Sequence, residues 1–425
     1  MNVLTKETRD QYTQVLKNEL IPSMGCTEPI AIAYCAAAAV KVLGKSAERF
    51  EIACSGNIIK NAKTVTVPQT GGLVGIEAAV LAGAIGGDAD AELQVLAGVT
   101  PEKIVEIRAA QGKIPVKVTL LDTTHMLHIV VNAIAGEENA SVEIIDTHTG
   151  IGKVSKNGTL IRDREEVEEV NDFEFHQSIT LKNILAYAES VPLEDVSEVL
   201  DRQIQYNSEI SKEGLEGNWG ANAGKSLLEM MGNSPLARLA ARPAAGSDAR
   251  MNGCALPVVI NCGSGNQGMT ICLPIVEYAE QNGISHDRVL RALCVANLLA
   301  IHTKSYIGRL SAFCGAVSAA TAAAAGIAWL DGASYDVIGQ TVINSLGTTG
   351  GMVCDGAKSS CAAKIAAAVN GAMLAYQMAK NGFGFAPGEG VVKEDVEKTI
   401  ASVGRMAAKG MRSTDIEVLN IMIDN

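Results

Sequence analysis

The sequence predicts an α+β protein: a mixed α/β sheet domain over residues 1–175, then an all-helical, Ala- and Gly-rich domain over residues 176–425. Three observations carry this. Segments rich in Val and Ile with partial two-residue alternation, the mark of half-buried strands, stop by residue 161. An acid-dense stretch follows at 162–174 (RDREEVEEVNDFE), which reads as a solvated connector. Beyond it, Ala-rich segments of helical length alternate with Gly-rich loops.

Residues 6–20 read as an amphipathic helix stopped by Ile21-Pro22, because proline has no N–H to continue it. The turn Ser23-Met24-Gly25-Cys26 leads to Thr27, an N-cap for an Ala-rich helix over 28–43 that tolerates Pro29 in its first turn. Residues 49–54 read as a strand, 61–67 as another, and 71–81 as a helix after a Gly-Gly break. The β pattern then runs over 104–161, with strands at 116–121, 127–135 and 141–146 and a hairpin-like turn at Gly136-Glu137-Glu138-Asn139. Helices follow at 179–190, 193–212, 220–231, 286–304, 310–330, 334–346, 357–380 and 393–409, with a Pro-interrupted helix after residue 268. Four Gly-rich loops punctuate them: GSDARMNG (246–253), NCGSGNQG (261–268), GTTGGMVCDG (347–356) and NGFGFAPGEG (381–390).

A chain of 425 residues that is 48% hydrophobic and 19% charged can build a large core and is not a disordered one. Aromatics are only 4%, so that core rests on Ala, Val, Ile and Leu. The net charge of -12 weighs against a nucleic-acid partner, since phosphate affinity needs a basic face. The uncharged run 310–330 is long enough to span a bilayer, but its Ala, Gly, Ser and Thr yield little transfer energy. It reads as a packed helix, with no membrane role. The polar opening MNVLTKETRD predicts no secretory signal and a cytoplasmic protein, so the ten cysteines are expected as reduced thiols.

The chemistry concentrates in the loops. Cys354 sits on a flexible Gly-rich segment, Cys361 in the first turns of the next helix, and Cys314 near the start of another. Helix N-termini favour thiolate, and three such thiolates could converge on one metal centre with a position left for substrate. Buried cysteines acting as small hydrophobes fit the same pattern. Cys26, just before a helix start, is expected to have a lowered pKa, as a nucleophile or proton-abstracting base; a packed thiol is the plainer alternative. The N–H groups of the loop 262–268 could hold a carboxylate or phosphate, or simply form a tight turn. Arg250 could fork onto a carboxylate or lie on the surface. Cys35, Cys54, Cys254, Cys272 and Cys294 read as core, and His125, His128 and His148 as structural. His302 with Lys304, next to Tyr306, could face a pocket.

Four segments, in this order, resemble the iron–sulfur L-serine dehydratases, and most closely their relatives the L-cysteine desulfidases. Pro22-Ser23-Met24-Gly25-Cys26-Thr27-Glu28-Pro29 resembles the dehydratase loop P-S-S-S-H-T-x-G-P. Asn252-Gly253 with Pro257 resembles the start of the dehydratase helical domain, and Cys314-Gly315 opens an Ala-rich helix as the first cluster cysteine does. Leu346-Gly347…Cys354-Asp355…Cys361 resembles L-G-L-T-C-D-P…C. The resemblance implies that Cys314, Cys354 and Cys361 hold an oxygen-labile 4Fe–4S cluster with one iron open. It also implies that Cys26, standing where the dehydratases have His, takes the α-proton. Ser264, Asn266, Asn252 and Arg250 are the expected binders of a small amino-acid substrate. The chain departs from the dehydratases at that His, in ending at Asn425 without a terminal Cys, and in a shorter Cys354–Cys361 spacing. The implied activity is L-cysteine desulfidase: α,β-elimination to pyruvate, ammonia and sulfide. The alternatives are an L-serine dehydratase with the same cluster, a non-catalytic metal- or redox-sensing module, and a pyridoxal-phosphate enzyme with Lys304 as Schiff base. The scarcity of strands in the second half weighs against the last. A homodimer is the expected assembly.

Overall fold

The computed structural model describes residues 4–163 and 179–423. Helix α1 (Lys6–Glu19) is capped by Thr5, whose Oγ1 accepts from the Thr8 N–H, and buries Tyr12, Val15 and Leu16. Strand β1 (Pro22–Met24) leads into α2 (Thr27–Leu43), which is buried along almost its whole length. Strand β2 (Arg49–Cys54), α3 (Gly56–Ala62), α4 (Ile76–Gly86), a 3₁₀ turn (Ala89–Gln94) and α5 (Pro101–Ala110) follow. Strands β3 (Val116–Leu120), β4 (His128–Ala135), β5 (Glu138–Ile145), β6 (Ile151–Lys156) and β7 (Thr159–Arg162) complete the first region.

The sheet is mixed, in the order β3-β2-β4-β5-β6-β7, with β2–β3 parallel and every other pair antiparallel. Its β6–β7 hairpin turns on Asn157-Gly158, at φ +50° and +77°, the sign a two-residue I′ turn requires. Helix α2 packs on the sheet, and the Cys35 thiol donates to Val142 O at 3.2 Å.

Several expected boundaries move. Residues 61–67 are not a strand: Asn61 and Ala62 end α3, whose buried face carries Ile58 and Ile59. The helix expected at 71–81 starts at Ile76, after Gly71, Gly72 and Gly75, all at positive φ. The β region does not begin at Ile104, because Thr100 caps a helix whose first residue is Pro101. Of the acid-dense stretch, Arg162 and Asp163 alone lie within the described residues.

The second region is helical: α6 (Leu181–Ser190), α7 (Ser197–Glu216), α8 (Ala223–Met231) and α9 (Pro235–Met251). After β8 (Pro257–Val259) come α10 (Gly265–Asn282), α11 (His286–Ile307), α12 (Gly315–Leu330) and α13 (Tyr335–Thr349). Then come α14 (Ser360–Lys380), α15 (Val396–Arg405) and α16 (Arg412–Ile423). The expected loop 246–253 is helical as far as Met251. Gly246, Ser247 and Asp248 are inside α9 and buried, and a Cβ on Gly246 would stand 2.6 Å from Met269 Sδ. The uncharged run forms α12, buried from Ala316 to Leu330, and no helix among the described residues is long and apolar enough to cross a membrane.

Two large apolar clusters result, and each draws on both regions of the chain. Tyr12, Val15, Leu16 and Leu20 of α1 and its exit join the cluster of the helical region. Ile210, Ala249, Val258, Met269 and Leu273 join the cluster built on α2, α4 and the sheet. Strand β1 seals the join by pairing antiparallel with β8, Pro22 opposite Val259.

Candidate active site

One cavity of about 110 Å³ lies where these elements meet, a size that suits a small metabolite. Its lining includes Cys26, Glu28, Arg250, Ser264, Asn266, Cys314, Cys354 and Cys361. Those residues come from six separate segments of the chain.

Cys26 reaches it because Gly25, at φ +62°, turns the chain before α2 and leaves Cys26 as the N-cap. The Cys26 Sγ–H donates to Glu28 Oε2 at 3.0 Å. Glu28 also accepts from Asn61 Nδ2 at 3.0 Å on Oε1, and His148 Nε2 stands 3.9 Å from the same oxygen. Thr27 Oγ1 donates to Gly263 O at 2.8 Å, tying the start of α2 to the loop before α10. Cys262 and Gly263 turn that loop at positive φ, and a Cβ on Gly263 would meet His148 Cε1 at 2.8 Å.

This environment overturns the expected lowering of the Cys26 pKa. Burial pushes the thiol well up, and the Glu28 charge pushes it further. For Glu28, burial acts upward, but the neighbouring His148 and the Cys26 thiol outweigh it and hold the carboxyl well below the usual range. At rest the pair is therefore a neutral thiol donating to an ionised carboxylate.

The three further cysteines are gathered by backbone pairing. Phe313 and Val353 form an isolated antiparallel bridge, with Cys314 N–H donating to Met352 O at 2.9 Å and Cys354 N–H to Ala312 O at 2.6 Å. Cys314 is the N-cap of α12, and Cys361 lies in the first turn of α14, with Sγ 3.6 Å from Gly356 O. Gly356, at φ +97°, lets this loop rest on α3, where a Cβ would stand 2.4 Å from Lys60 O. Cys26, Val65 and Met251 form a small apolar cluster against which Ala357 and Cys361 pack.

As free thiols Cys314 and Cys361 are not activated by their helix starts. Burial, then the charge of Cys354, pushes Cys314 up to about 12, and burial raises Cys361 as well. Among the described residues, no three His, Cys, Asp or Glu side chains are grouped as ligands of a single metal ion. Cysteines around a four-iron cluster stand further apart, since the cluster lies between them. The donor set fits such a group in kind: three soft thiols at one cavity, with Lys304 and Lys364 close enough for their charges to be felt by them.

Arg250, in the last turn of α9, is 2% exposed; its Nη1 donates to Asn266 Oδ1 at 3.1 Å, and its Nε has no partner among the described residues. Ser264 lines the cavity while its Oγ caps α10 through the Gln267 N–H at 3.4 Å. Asn252 does not line it: its Nδ2 donates to Asp248 O at 2.7 Å and its Oδ1 accepts from Ser359 Oγ at 3.1 Å. The cavity also includes Asn61, Gln267, Lys304 and Phe313, none of them singled out by motif except Lys304. His302 instead binds Glu397 Oε2 at 2.7 Å. The five cysteines expected in the core are all buried, as is Cys262.

Comparisons with known proteins place the whole chain rather than its site. The serine dehydratase alpha chain family matches residues 90–420. A UPF0597 protein of Lachnoclostridium phytofermentans is 48% identical over 411 residues, covering 96% of this chain and 98% of its own. UPF0597 proteins of Desulfitobacterium hafniense and Treponema denticola are 45% and 44% identical, over 98% and 99% of this chain and equal shares of their own. The matched family implies a lyase-type enzyme and is in general associated with iron–sulfur clusters. On the extent of these matches, the chain belongs to the serine dehydratase alpha chain family.

Proposed function

We propose that the protein is an L-cysteine desulfidase, eliminating sulfide from L-cysteine to leave pyruvate and ammonia. The observation that carries this is the meeting of Cys26 with Cys314, Cys354 and Cys361 at one cavity, with a Cys where the dehydratase loop has His. Cys314, Cys354 and Cys361 would hold a 4Fe–4S cluster, which when bound supplies a Lewis-acidic, sulfur-seeking iron for the leaving group.

The rest falls to the chain's own side chains. Arg250, Ser264 and Asn266 bind the carboxylate and ammonium of the substrate. Asn252 acts at one remove, fastening Ser359 at the start of α14. Cys26 takes the α-proton onto Sγ while its own proton passes to Glu28 Oε2, its hydrogen-bond acceptor. The Cα–H electron pair becomes the Cα=Cβ bond, and the Cβ–S pair departs with sulfur. The released aminoacrylate tautomerises and is hydrolysed to pyruvate and ammonia. Burial of the Cys26–Glu28 pair keeps water from competing for that proton.

A second reading, L-serine dehydration by the same residues, is favoured by the name of the matched family. Anaerobic protein, assayed for iron, acid-labile sulfide and pyruvate from L-cysteine and L-serine side by side, separates them. Faster pyruvate release from cysteine supports the desulfidase, and faster release from serine the dehydratase. Reconstituted protein that binds no iron and releases no pyruvate would sink both.

A further inference from the structure

Two buried cations face the cavity with donors to spare. Lys304, in α11, is 4% exposed and lines it. Among the described residues its Nζ makes no hydrogen bond or ion pair; burial draws its pKa down, and the opposing pull comes from thiols, Cys262, Cys354 and Cys314, not from a carboxylate. Burying an ammonium without a partner is costly, so a fold that keeps one at a cavity wall needs a reason for it. Arg250 leaves its Nε unpartnered at the same cavity. Arg309, also in the lining, is already paired with Glu19 at 2.8 Å.

Among the described residues no free anion in the lining answers them. Glu28 is the one carboxylate in the lining, and its oxygens are taken by Cys26, Thr27 and Asn61. An acceptor does stand open: Gln267 Oε1 is buried and has no partner among the described residues, beside Gly315, where a Cβ would come within 2.7 Å of the Gln267 amide carbon. Two free cationic donors and one free carbonyl acceptor at one small cavity match the two ends of an α-amino acid.

We propose that Lys304 is the carboxylate anchor of this cavity, gripping the substrate α-carboxylate together with Arg250 Nε while Gln267 Oε1 receives the ammonium. This rests on the proposed function only in taking the cavity as the substrate site. It predicts that carboxylates bind whether or not a cluster is present. Charge-assisted hydrogen bonds of this kind are worth about tenfold or more in affinity each.

The test uses the whole protein, freed of metal by a chelator, anaerobic and with its thiols reduced. Calorimetric titration compares 3-mercaptopropionate, which has the carboxylate and thiol but no amine, with cysteamine, which has the amine and thiol but no carboxylate. Wild type is expected to bind 3-mercaptopropionate more tightly than cysteamine. Lys304→Met is expected to weaken 3-mercaptopropionate by about tenfold or more and to leave cysteamine unchanged or tighter. The variant should melt at or above the wild-type temperature, because it loses a buried charge and no partner. Equal 3-mercaptopropionate affinity in the two proteins, no binding of it by wild type, or a melting temperature well below wild type would each overturn the assignment. Loss of iron from cluster-loaded Lys304→Met with carboxylate binding intact would do so too, in favour of a counter-ion role beside the thiols. The expected binding pattern in a protein that releases no pyruvate would remove the proposed activity and leave the anchor standing. Pyruvate release with unchanged binding in the variant would do the reverse.

Discussion

Cys26 and Glu28 are best understood as one unit, because each sets the state of the other. Burial and, after it, the carboxylate keep the thiol protonated, and with His148 the thiol's hydrogen bond helps keep the carboxylate ionised. A folded-state pKa below the ordinary 4.5 means that Glu28 contributes stability above that value and loses it as the pH falls below it. The stability advantage of wild type over Glu28→Gln, read from urea midpoints, should therefore be largest near neutrality and shrink between about pH 5 and pH 3. A difference that stays constant across that range would contradict the ionised, thiol-bonded carboxylate. Glu28 was invisible beforehand for a physical reason. An acid in the first turn of a helix is common on dipole grounds alone, and only the convergence of Asn61, His148 and Cys26 distinguishes this one. The cysteines were legible because their resemblance rests on residue type and order, which survive without coordinates.

Helices here approach their neighbours through glycine. A Cβ on Gly83 of α4 would fall 2.0 Å from Ala33 O of α2, one on Gly214 of α7 2.0 Å from Ala245 O, and one on Gly268 of α10 2.0 Å from Val259 O. In each case the obstacle is backbone, which cannot rotate aside. Gly83→Ala should lower stability by about 1–3 kcal/mol in urea unfolding. Because α2 carries Cys26 and Glu28 at its N-terminus, the same variant should also lose pyruvate release. A Gly83→Ala protein with wild-type midpoint and rate would show that α2 and α4 are not held as described. Ala- and Gly-rich helices were readable from composition, but the expected Thr27 cap was not: Thr27 is the first residue of α2 and Cys26 is its N-cap. What misled was α9: Gly246, Ser247 and Asp248 look like a loop in one dimension, yet they are buried in a helix, where tertiary packing overrides propensity.

Across the whole molecule, the cavity lies on the join between the two apolar clusters. Cys26 arrives from α2, packed on the sheet, while Cys314 and Cys361 arrive from the starts of α12 and α14. Strand pairing of β1 with β8, and of Phe313 with Val353, brings together segments hundreds of positions apart or tens apart that no local pattern could connect. The division into sheet and helical regions could be read from periodicity. That α1 packs on the helices while α2 packs on the sheet could not, since both are apolar on a face and nothing in their sequence names the partner. On the proposed function, the architecture separates two tasks, holding a cluster and moving a proton, on elements that meet only in the folded chain.

That separation is the central claim, and iron content measured together with pyruvate release from L-cysteine tests it, on anaerobic Cys26→Ala beside Cys354→Ala. Cys354→Ala should lose iron and activity together, whereas Cys26→Ala should retain iron at the wild-type level and lose about 10²–10⁴-fold in turnover, the range expected for removal of a general base. Full iron in Cys354→Ala, or wild-type turnover in Cys26→Ala, would contradict the account.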